Sequence, residues 1–255
     1  MCFSSTASFT AAACLLPLGL TASRITLKRQ RPQLLPVALI PVFFAVQQAL
    51  EGLVWLGLER PEGSGGAFSQ ASALAYLFFA LAFWLAWLPW CALRSWGASS
   101  GGWRRSWIRV LLILGLVLGV LLWLPLLLDP SRLDPTVVHG SIDYRTQLLA
   151  EDLIGHGLGS LIYATTITVP LLLTPYRRLR WFVALLLLSF SAAQVLYLYA
   201  FSSVWCYFAA VLSAQVLWIV LEEPLTPCRR NNGASAPVSA ADAAPPAMLR
   251  CHPLP

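Results

Sequence analysis

Charged residues are scarce in this chain. Only 11% of its 255 residues are Asp, Glu, Lys or Arg, whereas 58% are hydrophobic. A soluble domain carries about a quarter charged residues, so this chain cannot cover a water-facing surface. The scarcity excludes a soluble globular protein and predicts an integral membrane protein whose main partner is the lipid bilayer. The net charge of +6 lies in short clusters between apolar runs, which is typical of membrane topology, so no nucleic-acid partner is expected.

Lysine and histidine are also rare. The one lysine, Lys28, precedes most of the apolar runs, which excludes a retinal protein because a Schiff-base lysine must lie in the last span. The three histidines are too few for hydrolases that hold zinc through several of them: His139, His156 and His252. Walker, Rossmann, Ser-His-Asp and Cys-x-x-Cys patterns are also missing.

The first apolar run lacks the basic residues that would make it a cleaved signal. No Lys or Arg precedes Arg24, whereas a signal peptide begins with positive charge. AAAC, ending at Cys14, imitates a lipoprotein cleavage site, but the run before it is short and interrupted by Ser and Thr. Basic residues follow the run in SRITLKRQR. Positive charge in that position predicts a retained first span with its amino terminus outside.

Seven runs are long enough to cross a bilayer, and the fold expected is all-α. The predicted spans are 5–23, 34–58, 69–93, 107–128, 147–174, 180–201 and 204–222. Alternate connectors hold 14 of the 17 basic residues, which predicts an N-out, C-in topology. We expect residues 1–228 to form the seven-helix domain and residues 229–255, rich in Ala, Pro and Ser, to form a disordered cytoplasmic tail.

Two glycine pairs indicate close helix contacts. GLVLG places Gly115 and Gly119 one turn apart, and GHGLG places Gly155 and Gly159 likewise. Small residues at this spacing allow two helices to approach closely.

Four motifs occur in a characteristic order along the chain. They are MCFSSTASF at the start, QQALEGLVWLGL in span two, HGSIDY in the fourth-to-fifth connector and SVWCYFAA in span seven. Together they resemble a bacterial family of small integral membrane proteins that begin Met-Cys-Phe-Ser and have no established activity. The likeness runs from Met1 to about Leu221. It implies the fold and a multi-pass location in the bacterial plasma (inner) membrane, and it implies no activity.

Glu51 is the one acidic residue deep within a predicted span. An ionisable group there costs at least ~2.5 kcal/mol, so it should face the bundle interior or water. Gln47 and Gln48 precede it by one helical turn and share its face. Two interpretations stay open. Glu51 is either a protonated side chain bonded to those amides or a neighbouring helix, or part of a site for an ion, a proton or a small solute.

Asp152 and His156 lie four residues apart at the start of span five. This spacing lets two side chains hold one metal ion, and His139 precedes them in the outer connector. Carboxylate and imidazole ligands suit zinc or another divalent ion. The alternative is that the acidic residues stabilise a helix amino terminus through its dipole. No cofactor is expected unless this metal site forms.

Cys2 and Cys206 are the two cysteines that the predicted topology places at the outer face. An oxidising compartment would let them form a disulfide, and the alternative is two unrelated thiols.

The sequence therefore favours a non-enzymatic membrane protein that binds or passes a small solute, ion or proton. The polar pocket would lie in the outer half of the bundle and comprise Gln47, Gln48, Glu51, Asp152 and His156. A metal-assisted membrane hydrolase using Asp152, His156 and His139 is the alternative from another class. A third is a sensor or assembly subunit of a membrane complex.

Overall fold

The structure is a computed structural model that describes residues 4–63, 66–95, 102–138, 140–146, 156–196 and 201–222. Nine α-helices occur in these ranges, together with a π-helix and one β-hairpin. The α-helices are α1 Ser5–Lys28, α2 Leu35–Ala38, α3 Ile40–Leu58, α4 Ala67–Leu77, α5 Trp84–Ser95, α6 Trp103–Leu128, α7 His156–Leu172, α8 Arg177–Leu196 and α9 Phe201–Glu222. The hairpin consists of β1 Leu133–Val138 and β2 Ser141–Thr146.

Four helical segments are long and apolar enough to cross a membrane. They are Ser5–Lys28, Pro32–Leu58, Ala67–Ser95 and Trp103–Leu128, and they coincide with the first four predicted spans. Two shorter apolar helices, Leu158–Leu172 and Ala210–Glu222, lie in α7 and α9. Helix α8 overlaps the sixth predicted span. These four segments make the chain a helical membrane protein.

Helix α6 presents a long apolar surface to the outside of the bundle. Among its residues only Ile108, Gly115, Gly119 and Leu126 are buried. Leu121 and Leu128 are 60% and 75% exposed. An exposed apolar face of this length would aggregate in water, and it matches the hydrocarbon of a bilayer.

Two of the apolar spans depart from regular α-helix. The second is divided at Leu39, between α2 and α3. The third contains a π-helix, Phe78–Phe83, between α4 and α5. π-Helical turns occur mostly as local bulges inside α-helices and frequently at functional sites. This bulge lies midway along the segment.

The expectation of an all-α fold is wrong in one element, because the connector after α6 forms an antiparallel hairpin. Leu133 pairs with Thr146 and Val138 with Ser141. The hairpin is held by packing on distant helices: Leu133 and Ile142 are buried against Val54 and neighbouring side chains of α3 and α4. The HGSIDY motif therefore lies mainly in β2, at a position that local sequence does not identify as a strand.

A short turn leads from α6 into the hairpin. The Asp129 carboxylate accepts hydrogen bonds from the hydroxyl and amide of Ser131 and from Arg132. The pKa of Asp129 is lowered, chiefly by the Ser131 hydroxyl, with smaller contributions from the Ser131 amide and the Arg132 guanidinium. These bonds start the 3₁₀ turn Pro130–Arg132.

Glycines set the closest helix approach. A Cβ at Gly115 would lie 2.0 Å from the Leu85 carbonyl oxygen, and one at Gly119 would lie 2.9 Å from the Ala82 Cα. The prediction of close packing at GLVLG is therefore confirmed. At Gly159 no described atom lies within 4 Å of such a Cβ, so the described residues supply no such contact for that glycine. Gly155 lies outside the described residues.

The two ends of the bundle differ in character. The hairpin end is where α3 ends at Leu58 beside the β-hairpin. The arginine end is where α1 ends at Lys28 and α9 ends at Glu222. There the Arg29 guanidinium donates to the carbonyls of Val220 and Leu221, and Arg178 pairs with Glu222 at 2.8 Å. These contacts satisfy the last carbonyls of α9 and fix its end.

Candidate functional site

Glu51 lies on α3, fully buried at 0% exposure. Gln47 and Gln48, one turn earlier, are also buried. The Gln48 amide donates a hydrogen bond to the Glu51 Oε2 at 3.4 Å, which is long for a hydrogen bond. The helix therefore places one carboxyl and two amides together on an interior face. We call these three residues the Glu51 site.

Trp84, the first residue of α5, completes this site. Its indole Nε1–H donates to the Gln47 Oε1 at 2.8 Å, and its ring lies 4.5 Å from the ring of Phe44. The bond holds Gln47 in one orientation, because the amide oxygen is already an acceptor. Trp84 follows the π-helix directly, so the bulge sets the position of this donor.

The π-helix is held from its other side by α7. The Tyr163 hydroxyl donates to the carbonyl of Ala80 at 2.7 Å. In a π-helical turn each backbone hydrogen bond reaches one residue further than in an α-helix. A side-chain donor such as the Tyr163 hydroxyl stabilises the carbonyls in this altered arrangement. Polar contacts thus connect α3 to α5 and α7 to the π-helix within an otherwise apolar core.

The site lies about 10 Å below the end of α3, because Glu51 is seven residues from Leu58 at 1.5 Å per residue. Aromatic and apolar side chains of the hairpin end cover it. Trp55, one turn beyond Glu51, packs with Leu133 and Ile142 of the hairpin, and the ring of Tyr144 stacks on that of Tyr76 at 4.8 Å. A carboxyl and amide oxygens enclosed in this way can bind a small cation or a proton, because hard cations prefer oxygen ligands.

The other residues of the predicted pocket are less fully described. Asp152 and His139 lie outside the described residues. His156 is the first residue of α7, and the structure describes its backbone alone. In the part of the chain that is described, no group of three or more His, Cys, Asp and Glu side chains could hold a metal ion. The metal site and the hydrolase that depends on it stay predictions.

The predicted disulfide also falls on residues that are not described in full. Cys2 lies outside the described residues, and the side chain of Cys206 in α9 is not described. Of the described cysteines, Cys14 is exposed and Cys91 is buried, and both are free. Helix α9, which contains Cys206, packs against α1, which begins three residues after Cys2 in the sequence.

We expect protein made without reductant to carry a Cys2–Cys206 bond. Closing a loop of about 200 residues removes on the order of 5 kcal/mol of unfolded-chain entropy, an upper figure because insertion already restricts the chain. Cys2→Ser and Cys206→Ser should therefore destabilise the protein to the same extent and non-additively. Peptide mapping under non-reducing conditions checks the bond. Two alkylatable thiols in the native protein would disprove it.

Sequence reasoning missed Trp84 and Tyr163. One signal for Trp84 was present: it lies in the middle of a predicted span, whereas interfacial tryptophans lie near span ends. A tryptophan at mid-span needs a hydrogen-bond acceptor inside the protein. Its partner, 37 residues earlier, could not be identified without the fold.

The fold and the site together define a class. The chain has four helical segments of membrane-spanning length, and one of them carries a buried carboxyl–amide cluster, so the chain is a helical membrane protein with an interior polar site. It belongs to a family of unknown function, DUF6629, whose model matches residues 1–231. This match agrees with the resemblance to a family that has no established activity. No curated protein and no solved structure matches the chain.

Proposed function

We propose that this protein binds a monovalent cation, a sodium ion or a proton, at Glu51. The observation that carries the proposal is the complete burial of a carboxyl beside two buried amides within a membrane-spanning segment. Ionisable groups within membrane-spanning segments are rare, and they mark ion and proton pathways. One carboxylate balances one positive charge, so the ligand is monovalent.

The surrounding contacts favour a preformed site. Trp84 holds Gln47, and Gln48 donates to the carboxyl. An interaction network in a low-dielectric interior is stronger than the same contacts in water and defines one geometry. The π-helix beside Trp84 supports the same interpretation, since such bulges occur frequently at functional sites.

The proposal places this site in the outer half of a seven-span bundle. The amino terminus would be outside, the carboxyl terminus in the cytoplasm and the bundle in a bacterial plasma membrane. The arrangement rests on the alternation of basic connectors. It makes the hairpin end the outer end and the arginine end the cytoplasmic end.

Reporter fusions test this topology. Fusions after Arg31, Ser100, Arg178 and Arg230 should report cytoplasm, because basic connectors stay on that side. Fusions after Gly65 and Pro135 should report the exterior. A single connector that reports the opposite side would refute the seven-span arrangement.

Calorimetric titration with sodium chloride tests the binding proposal. We expect saturable one-site binding to the detergent-purified wild type and its loss in Glu51→Gln, because the amide carries no charge to balance the cation. Glu59→Gln is the matched control, since Glu59 lies one residue past α3 and is exposed; it should bind like wild type.

The proton alternative has its own measurement. If the ligand is a proton, wild type gives no sodium signal, and its unfolding midpoint depends on pH in a way that Glu51→Gln removes. Wild type that shows neither response would refute the proposal.

A further inference from the structure

Two buried serines have hydroxyls without a partner near the Glu51 site. Ser8 on α1 and Ser213 on α9 are both 0% exposed. Neither Oγ has a hydrogen-bond partner among the described residues. The other buried hydroxyls of α1 have partners: Thr26 donates to the Ala22 carbonyl and Ser23 to the Ala38 carbonyl. Ser8 and Ser213 therefore present polar atoms to the interior.

Helical spacing shows which interface both serines face. Ala22 of α1, Ala38 of α2 and Val220 of α9 form one packed cluster. Ser213 lies two turns before Val220, and Ser8 lies four turns before Ala22, so each shares a stripe with the packed residue. Both stripes run along the interface where α1, α3 and α9 contact one another.

The depths of these side chains follow from the helix rise. Glu51 lies thirteen residues from Ala38, which places it about 20 Å from the Ala22–Ala38–Val220 cluster towards the hairpin end. Ser8 lies fourteen residues from Ala22, which places it at about 21 Å in the same direction. Ser213 lies seven residues from Val220, at about 10 Å from the cluster. Gln47 lies at about 14 Å, between the depths of Ser213 and Glu51. A contact supports this register: a Cβ at Gly52, next to Glu51, would lie 2.8 Å from the ring of Phe9.

Ser8, Glu51, Gln47 and Ser213 thus lie at successive depths on α1, α3 and α9, which contact one another. Ser8 lies level with Glu51 and three residues from the start of α1. Ser213 lies beyond the glutamines towards the arginine end. Leaving a buried hydroxyl without a partner costs about 1–3 kcal/mol, and such groups call for a bound water or ion. One such hydroxyl level with a buried carboxyl, and a second beyond the glutamines, point to bound water or an ion along these helices.

We infer that Ser8 and Ser213 extend the Glu51 site into a polar track that admits water and a sodium ion. The inference rests on the proposed function. The Ser8 hydroxyl oxygen is a direct ligand of the ion beside the Glu51 carboxylate. The Ser213 hydroxyl binds water that bridges to Gln47 or Gln48. Oxygen ligands alone, with one negative charge, suit an alkali cation.

Sodium titration of serine variants tests this inference. Ser8→Ala should raise the sodium Kd about fivefold or more, because a net hydrogen bond or ligand contact is lost. Ser213→Ala should raise it about threefold through the bridging water. Ser189→Ala is the matched control. Ser189 is equally buried, with an unpartnered hydroxyl, on α8, which packs on α7 and α9, and its removal should leave the Kd unchanged.

The outcomes separate the two proposals. Loss of sodium binding in Glu51→Gln with wild-type affinity in both serine variants refutes the polar track and leaves the Glu51 proposal intact. An effect at Ser8 alone refutes the extension to Ser213. A Glu51-dependent response to pH without sodium binding refutes the sodium track and keeps a proton site. Ser8→Cys, which keeps the volume and replaces the hard oxygen by sulfur, should lose sodium affinity as Ser8→Ala does.

Discussion

Gly115→Ala should lower the free energy of unfolding by about 3 kcal/mol, although alanine is the better helix former. The new Cβ would lie 2.0 Å from the Leu85 carbonyl oxygen and 3.3 Å from the Thr166 Cγ2. The nearest atom belongs to backbone, which cannot rotate away, so α5 and α6 must separate. Unfolding in mixed detergent, followed by tryptophan fluorescence, measures the change.

Gly159→Ala is the matched control for that substitution. Gly159 lies in α7 with no described atom within 4 Å of the added Cβ. Alanine there should raise the free energy of unfolding by up to about 1 kcal/mol, because glycine is the poorer helix former. Equal effects of the two substitutions would contradict the helix contact at Gly115.

Glu51→Leu should lower the free energy of unfolding by about 1–3 kcal/mol, whereas Glu51→Gln should cost much less. The leucine side chain has no group to accept from the Gln48 amide, so the buried donor loses this partner. Glutamine keeps the shape and an acceptor oxygen while removing the charge. Thermal melts in detergent compare the two variants.

Glu59→Leu provides the control for burial. Glu59 is exposed beyond the end of α3, so its replacement should change stability by less than about 0.5 kcal/mol. If Glu51→Leu is as stable as Glu51→Gln, Glu51 faces lipid or water in the protein, and the buried site does not exist.

Sequence alone predicted the apolar helices and the interior position of Glu51, for a common physical reason. A run such as Val110 to Leu128 cannot be exposed to water, and a carboxyl inside such a run cannot be exposed to lipid. Both statements depend only on the residue and its immediate neighbours. The expectation about Gly115 and Gly119 succeeded similarly, because their spacing identifies a helix face that has room for a partner.

The hairpin, the π-helix and the Gln47–Trp84 bond could not be predicted in this way. Each depends on contacts between residues distant in sequence. Leu133 and Ile142 form strands because α3 and α4 offer a buried apolar surface at the hairpin end. The π-helix Phe78–Phe83 is fixed by Tyr163, more than 80 residues away. No local pattern identifies these partners.

Gly159 shows the limit of reasoning from a motif. GHGLG has the same small-residue spacing as GLVLG, yet no described atom lies within 4 Å of a Cβ at Gly159, whereas one at Gly115 would touch backbone. Spacing places glycines on one face of a helix. Whether another helix lies against that face depends on the packing of the whole bundle.

If Glu51 binds a monovalent cation, sodium and pH must affect the stability of the wild type and of Glu51→Gln differently. The unfolding midpoints of wild type and Glu51→Gln are compared from pH 5 to pH 9, in sodium chloride and in choline chloride at equal ionic strength. We expect the difference between the two midpoints to change with sodium or with pH, because only the wild type binds the cation. Midpoints that move in parallel under every condition would contradict it.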